Sequence, residues 1–371
     1  NLQGYLVARV ICYQLITHLT IENDMFIELD KIKYLEVELS TYCNAACPGC
    51  SRHYWGTSDK RAELVEEHLD VDSVTKVIKQ IPNIKELEIE LCGNLGDPMM
   101  NPRILEGIQE WIDLGVRKVF IDTNGGLRSE EFWRELAKIP RVDCTFSIDG
   151  LEDTNHIYRV NVDWKKLERN FMAFIEEGGK ATWKYLIFDH NKHQTKEAGY
   201  MAKFYGFSRF DARMSMREPP DLYQTYIKQT GDKETDYLMK EAQDLRATEI
   251  DTVAPTEDIN CKSLEHSRIY LNGEGRIWPC CYTSQHYCKS HAGYPETFNN
   301  NNPYLFNHYN KGFNLVEKNT LQFILQHAVW EDFNEAWEKK SDCEYKVCWN
   351  TCKGKKWTLN NAIEQKELAW R

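Results

Sequence analysis

The sequence predicts an α/β protein built on parallel strands, followed by a smaller cysteine-bearing region. Three observations carry this prediction. Strand-like and helix-like runs alternate six times between Lys33 and Met216. Glycine and proline stand at the helix boundaries, and eight of the 13 cysteines fall into spaced groups, three early and five late. At 371 residues the chain exceeds one average domain. Its 42% hydrophobic content, with 11 Trp, 19 Tyr and 15 Phe, can fill a core of that size.

Residues 1–30 read as a peripheral segment: Tyr5 to Leu19 is moderately apolar, but Arg9 and His18 interrupt it and it lacks a signal-peptide cleavage site. The first strand-like run, 34–39, alternates Tyr-Leu-Glu-Val-Glu-Leu, and others cover 86–91, 118–123, 143–148, 182–188 and 209–214. Helical patterns cover 71–80, 102–114, 129–138, 164–177 and 194–205. Pro102 sits at a first turn, and Gly115 and Gly178 follow last turns. Six βα units in sequence imply parallel strands joined by right-handed crossovers. Side chains alternate across a strand, so Leu35, Val37, Leu39, Leu87, Ile89 and Leu91 form the helix-facing set. Glu36, Glu38, Glu88 and Glu90, with Asp122, then turn inward, to receive a cationic substrate, to act as bases, or to pair with inward Lys184 or Arg213. Glu218-Pro219-Pro220 ends the series. The first domain is thus 31–217, with 218–258 a linker bearing one helix around 234–246 and 259–371 a second domain.

The most informative run is Cys43-Asn44-Ala45-Ala46-Cys47-Pro48-Gly49-Cys50, directly after the first strand. Three thiolates at C-x3-C-x2-C spacing can hold three corners of a [4Fe–4S] cubane and leave one iron open. Two other chemistries use similar residues. A structural zinc site wants four ligands and finds no local fourth, and a redox C-x-x-C motif is satisfied by Cys47 and Cys50.

The run resembles that of the radical S-adenosylmethionine (SAM) enzymes. In that family the open iron chelates SAM, and an electron from the cluster breaks the sulfonium to give a 5′-deoxyadenosyl radical. The resemblance implies a partial (β/α)6 TIM barrel with its chemistry at the C-terminal strand ends, and a catalytic role for Cys43, Cys47 and Cys50. It extends to the later strand ends. Cys92-Gly93-Asn94-Leu95-Gly96-Asp97-Pro98 is similar to the family's Gly-Gly-Glu-Pro signature with Asp for Glu, which implies SAM contacts at Gly96 and Asp97. Thr123-Asn124-Gly125 resembles a Thr-Asn-Gly turn, and Ser147-Ile148-Asp149-Gly150 sets Ser147 near the ribose or carboxylate. Arg159 matches an arginine that pairs with SAM's carboxylate, and Phe188-Asp189-His190-Asn191, with His190, falls where adenine is cradled. Gly49 departs from the aromatic residue common before the third cysteine, which leaves Phe188, Tyr54 or Trp55 to meet adenine.

Further on, Cys261, thirteen residues, Gly275, four residues and Cys280 resemble the opening of SPASM and twitch domains, the auxiliary-cluster modules of many radical SAM enzymes. Ile269 to Trp278 reads as a β-hairpin, and Cys343, Cys348 and Cys352 follow. The count fits one auxiliary [4Fe–4S] cluster on Cys261, Cys280 and two of the last three; four thiolates close a zinc site equally well. Cys281 would point away from Cys280 on a strand and reads as core, and Cys288 is extra. Cys12, Cys92 and Cys144 read as buried small hydrophobes.

The resemblance implies a radical SAM oxidoreductase carrying out net oxidation of a small molecule. The alternatives are a peptide or protein maturase and a non-catalytic metal-binding scaffold. Maturases often carry an N-terminal leader-binding module, and about 30 residues precede the first strand. Expected partners are SAM, the small-molecule or peptide substrate, and a reducing protein such as flavodoxin or ferredoxin. The formal net charge of −11 argues against nucleic acid. No apolar run reaches the ~18 residues of a membrane span, and cysteine groups of this kind in a large chain indicate a reducing cytoplasm.

Overall fold

The computed structural model describes residues 26–54, 56–215, 259, 261–289, 302–331, 333, 348 and 352. The alternation expected from the sequence is present: β1 (Tyr34–Val37), α1 (Val71–Ile78), β2 (Glu88–Leu91), α2 (Ile104–Asp113), β3 (Lys118–Thr123), α3 (Glu130–Lys138), β4 (Val142–Ser147), α4 (Asn155–Tyr158), α5 (Trp164–Glu176), β5 (Lys180–Ile187), α6 (Thr195–Tyr205) and β6 (Arg209–Met214). A C-terminal region adds α7 (Lys262–Glu265), β7 (Arg268–Leu271), β8 (Ile277–Trp278), α8 (Cys281–Tyr287), α9 (Pro303–Lys311) and α10 (Leu321–Leu325). The strands form one sheet in the order β6-β5-β4-β3-β2-β1-β7-β8. β1 to β7 pair in parallel, and β8 returns antiparallel to β7. The two ends of the sheet do not pair, so the architecture is a partial barrel.

Helices form where local chemistry starts and stops them. The Asp70 side chain caps α1 by accepting from Asp72 N, and Val71, Val74, Val77 and Ile78 bury one face. Each such aliphatic side chain contributes about 1.5–3 kcal/mol on burial. Asp163 Oδ1 accepts from Lys166 N (2.7 Å) at the start of α5, whose Leu167, Phe171 and Phe174 are buried. There Phe171 and Trp183 meet Phe207 at ring-centroid distances of 5.0 and 5.3 Å, and Trp133 meets Phe146 at 5.1 Å.

Several boundaries differ from the sequence expectation, and three of them have a clear local reason. β1 ends at Val37 because the chain turns to bridge Ser40 with His68, although Leu39 stays buried. β2 starts at Glu88 because Ile84–Glu86 form a 3₁₀ turn. α2 starts at Ile104 because Asn101 Oδ1 accepts from Arg103 N (3.0 Å), which keeps Pro102 in the preceding turn.

The C-terminal hairpin joins the barrel directly. β7 is hydrogen-bonded alongside β1, with Tyr34 opposite Arg268 and Glu36 opposite Tyr270. Backbone bonds at both ends, Lys33 N to Ser267 O and Glu38 N to Leu271 O (both 2.9 Å), extend the pairing. β1 would otherwise be an unpaired edge. The linker 218–258, its helix at 234–246 and the first 25 residues lie outside the described residues. No described helix is long and apolar enough to cross a membrane.

The inward alternation holds. Leu35, Val37, Leu39, Leu87, Ile89 and Leu91 are fully buried. Asp122 pairs with Lys184 (3.1 Å), as expected. Arg213, however, is held by Asp211 (2.6 Å), and the cation between Glu36 (3.1 Å) and Glu90 (3.0 Å) is Arg268 of β7. Glu88 turns to Arg117 (3.0 Å).

Candidate active site

β1 delivers the chain to a loop that begins at Ser40. The Thr41 hydroxyl donates to Val65 O (2.9 Å) and accepts from Glu67 N (2.7 Å). Buried Arg52 donates to the carbonyls of Thr41 and Leu95 and pairs with Glu66 (2.8 Å). These bonds tie the start of the loop, its end and the loop after β2 into one unit. On it Cys47 is buried, Cys43 and Cys50 are half-buried, and all three are free of disulfides.

Nitrogen donors meet the sulfurs. Ala45 N (3.4 Å) and Asn124 Nδ2 (3.7 Å) approach Cys43 Sγ, and Arg159 Nη1 approaches Cys47 Sγ (3.8 Å). Burial is the main reason that the Cys43 thiol is pushed up to about 12, with Asp97 adding to it. Burial likewise pushes Cys47 up to about 11, opposed by Arg159. Cys47 acts electrostatically on Cys43, and Cys50 on Cys47. Poorly solvated thiols with N–H donors aimed at them suit a cationic iron centre, which deprotonates its cysteine ligands outright. Among the described residues no three His, Cys, Asp or Glu side chains converge as the ligands of one metal ion.

The neighbouring strand ends lock onto this loop. Asp97, buried, accepts from Met99 N (3.0 Å), Thr123 Oγ1 (3.0 Å), Asn124 N (2.8 Å) and Asn124 Nδ2 (2.7 Å). Its carboxylate therefore shapes the turn after β3, and Asn124 carries that order on to Asn44 Oδ1 (2.8 Å) in the cysteine loop. Burial holds the Asp97 carboxyl above its ordinary range. Arg159 is aimed in a similar way. Fully buried Asp149 accepts from Arg159 Nε (2.7 Å) and from Leu186 N (2.6 Å), which leaves the other face of the guanidinium toward Cys47.

Residues 37–198 match the model of the radical SAM superfamily, a span that opens on the last residue of β1, contains the three-cysteine loop and closes within α6. Over that span the chain matches the radical SAM superfamily. The match implies a SAM-binding [4Fe–4S] cluster and SAM itself, and the free, donor-lined Cys43, Cys47 and Cys50 fit such a cluster. The chain is 29% identical over 126 residues to the tungsten-containing aldehyde ferredoxin oxidoreductase cofactor-modifying protein of Pyrococcus furiosus; the match spans 34% of this chain and 33% of that relative. Among solved structures it is similar to Streptococcus suis SuiB bound to precursor peptide SuiA, with 16% identity, a TM-score of 0.49, and 70% of this chain and 61% of that one covered. It is also similar to BtrN in complex with AdoMet and 2-DOIA, with 12% identity, a TM-score of 0.40, and 86% and 92% covered. Nothing about substrate passes from structures this distant.

Within the radical SAM domain the other expected SAM positions have distinct surroundings. A Cβ on Gly96 would come within 2.0 Å of Ser40 O, so glycine lets the loop after β2 lie directly on the chain leaving β1. Ser147 ends β4, half-buried. His190 is 8% exposed and stacks on Phe188 (5.3 Å), which stacks on Tyr158 (4.2 Å). Burial lowers the His190 pKa to about 4, and its Nε2 has no hydrogen-bond partner. Phe188 is buried against the His190 and Tyr158 rings, Tyr54 is 46% exposed, and Trp55 lies outside the described residues.

Cys261, Cys280, Cys281, Cys348 and Cys352 line one cavity together with Glu36, Lys262, Ser263, Arg268 and Thr283. Cys352 acts electrostatically on both Cys261 and Cys280. Cys343 lies outside the described residues. The reading of Cys281 as a core residue is corrected: Cys280 caps a helix and Cys281 is its first residue, so the pair does not alternate as on a strand and both reach the cavity. Cys92 and Cys144 are buried as expected, and Cys12 lies outside the described residues.

Sequence reasoning missed Asp149, Arg52 and Arg268 as organisers of the site. Asp149 sits inside a motif quoted for its serine, and Arg52 lies two residues beyond the third cysteine. Arg268 had a usable signal, since it alternates with Tyr270 on a strand whose inward face needed a cation.

Proposed function

We propose that this protein is an oxidoreductase that cleaves SAM reductively and removes a hydrogen from a small molecule, with one auxiliary [4Fe–4S] cluster completing a net two-electron oxidation. The observation that carries it is the Cys43, Cys47 and Cys50 loop, with Arg159 and Asn124 directed at its sulfurs in a matched radical SAM domain. When bound, the cluster supplies the electron that cleaves SAM. The chain's own part is to hold three thiolates, to present Arg159 toward SAM's carboxylate from its anchor on Asp149, and to keep bulk water out with buried Asp97, Asn124 and His190. Cys261, Cys280, Cys348 and Cys352 would hold the auxiliary cluster as a SPASM or twitch-type module does; the cavity that these four line supports the set.

A small-molecule substrate is supported by the Pyrococcus furiosus relative, named for modifying a cofactor. The test is anaerobic reconstitution with a flavodoxin or ferredoxin system, measurement of 5′-deoxyadenosine, and a mass-spectrometric search for a product about 2 Da lighter than its substrate, the two hydrogens of a two-electron oxidation. Wild-type SAM cleavage by a Cys43→Ala/Cys47→Ala/Cys50→Ala variant would sink the proposal. A crosslinked or oxidised peptide as the sole product would favour a maturase.

A further inference from the structure

Ser263 lies two residues after Cys261 and borders the cavity shared by Cys261, Cys280, Cys281, Cys348 and Cys352. It is 1% exposed, and its hydroxyl has no hydrogen-bond partner. An unpaired buried hydroxyl costs about 1–3 kcal/mol, so a serine in that state on a cavity wall points to an acceptor the protein itself does not supply. Its surroundings say what kind. The backbone N–H groups of Leu264 and Ser263 partly offset the burial that pushes the Cys261 thiol up. Across the cavity the Thr283 hydroxyl donates to Cys280 O (2.8 Å) and stands 3.6 Å from Cys280 Sγ. Five cysteines face the space between. Among the described residues the one carboxylate on this lining, Glu36, is paired with Arg268 (3.1 Å), which leaves sulfur, as cysteine thiolate or inorganic sulfide, as the acceptor for Ser263.

We propose that the Ser263 hydroxyl donates a hydrogen bond to sulfur of the auxiliary cluster and raises that cluster's reduction potential. This rests on the auxiliary-cluster reading above. Reduction adds one electron to the cluster, and a donor directed at its sulfur stabilises the more negative state, so the reduced form gains more. Ser263 acts through the cluster and not on the reacting atoms. A higher potential makes the cluster a better acceptor for an electron released during substrate oxidation, the direction that the proposed reaction needs.

The test compares the full chain as wild type, Ser263→Ala and Ser263→Thr, each reconstituted anaerobically, by iron and sulfide analysis and by redox titration followed by electron paramagnetic resonance. Ser263→Ala keeps the backbone N–H groups near Cys261 in place, so a change in potential reports the hydroxyl alone. The expected result is about eight irons in all three proteins, a lower auxiliary midpoint potential in Ser263→Ala, an unmoved SAM-cluster potential, and recovery toward wild type in Ser263→Thr. An unchanged auxiliary potential in Ser263→Ala at full iron load overturns the inference and leaves the auxiliary cluster standing. Loss of the second cluster from Ser263→Ala alone overturns it too, since that makes the residue a structural support. Wild type holding about four irons and one cluster signal overturns the auxiliary-cluster reading itself.

Discussion

Asp97 stands where related enzymes carry glutamate, and its four donors make the consequence of Asp97→Asn calculable. The amide keeps one oxygen. Placed at the Oδ2 position, that oxygen still accepts from Asn124 N and Asn124 Nδ2, and the new NH₂ then faces Met99 N, which lies 3.0 Å from Oδ1. One buried backbone donor loses its acceptor, at about 1–3 kcal/mol, and the three remaining charge-assisted bonds, that from Thr123 Oγ1 included, become neutral, at about 1 kcal/mol each. Removing a buried charge returns part of this, because burial holds the Asp97 carboxyl above its ordinary range. The net expectation is a loss of about 2–4 kcal/mol of stability. Anaerobic urea unfolding, followed by fluorescence of the buried tryptophans, measures it. SAM affinity should fall alongside, because Asn124 is set by Asp97 and reaches the cysteine loop. A variant with the wild-type unfolding midpoint and weakened SAM binding would refute the reasoning, since the carboxylate would then face SAM and not the turn.

Replacing Cys348 or Cys352 by Ala should lower bound iron from about eight to about four while 5′-deoxyadenosine formation continues, and Cys343→Ala should leave the iron count intact. Burial pushes Glu38 up to about 7 between Leu95 N and Tyr270 Oη. A carboxyl raised on folding contributes stability below its unfolded pKa that is lost as pH rises through the folded one. Between about pH 5.5 and about pH 7.5 wild type should therefore lose about 2 kcal/mol relative to Glu38→Gln; parallel pH profiles would count against this. Arg268→Met should destabilise the protein by about 3–5 kcal/mol at neutral pH, because Glu36 and Glu90 are left without their cation. Adding Glu90→Gln should recover part of that loss, and no recovery would mean the arginine acts by packing.

Much of the barrel was legible because its determinants are short-range. The period-two alternation in β1 and β2 separates helix-facing leucines from inward glutamates within six residues, and the strand bounds of β3 and β6 follow from it unchanged. The three SAM-cluster cysteines were legible for the same reason, since eight contiguous residues contain all three. Turn chemistry marked the helix stops, as at Gly115 and Gly178, both in positive φ. Some boundaries shifted where a side chain or a short turn took over the backbone, as with Asn101 before α2.

What the sequence by itself determined, then, is the order of strands and helices, the face each strand residue takes, and the metal-ready cysteine loop at the end of β1. Tertiary structure decided the partners. Arg268 reaches Glu36 across 232 residues only because β7 pairs alongside β1. Asp97 and Asp149 bond to groups on other loops rather than standing open, and which late cysteines share a cavity depends on α7, α8 and the hairpin packing together. A side chain's face is fixed by the geometry of its own few neighbours. Its partner depends on which distant segments the folded chain brings alongside, and no local period encodes that.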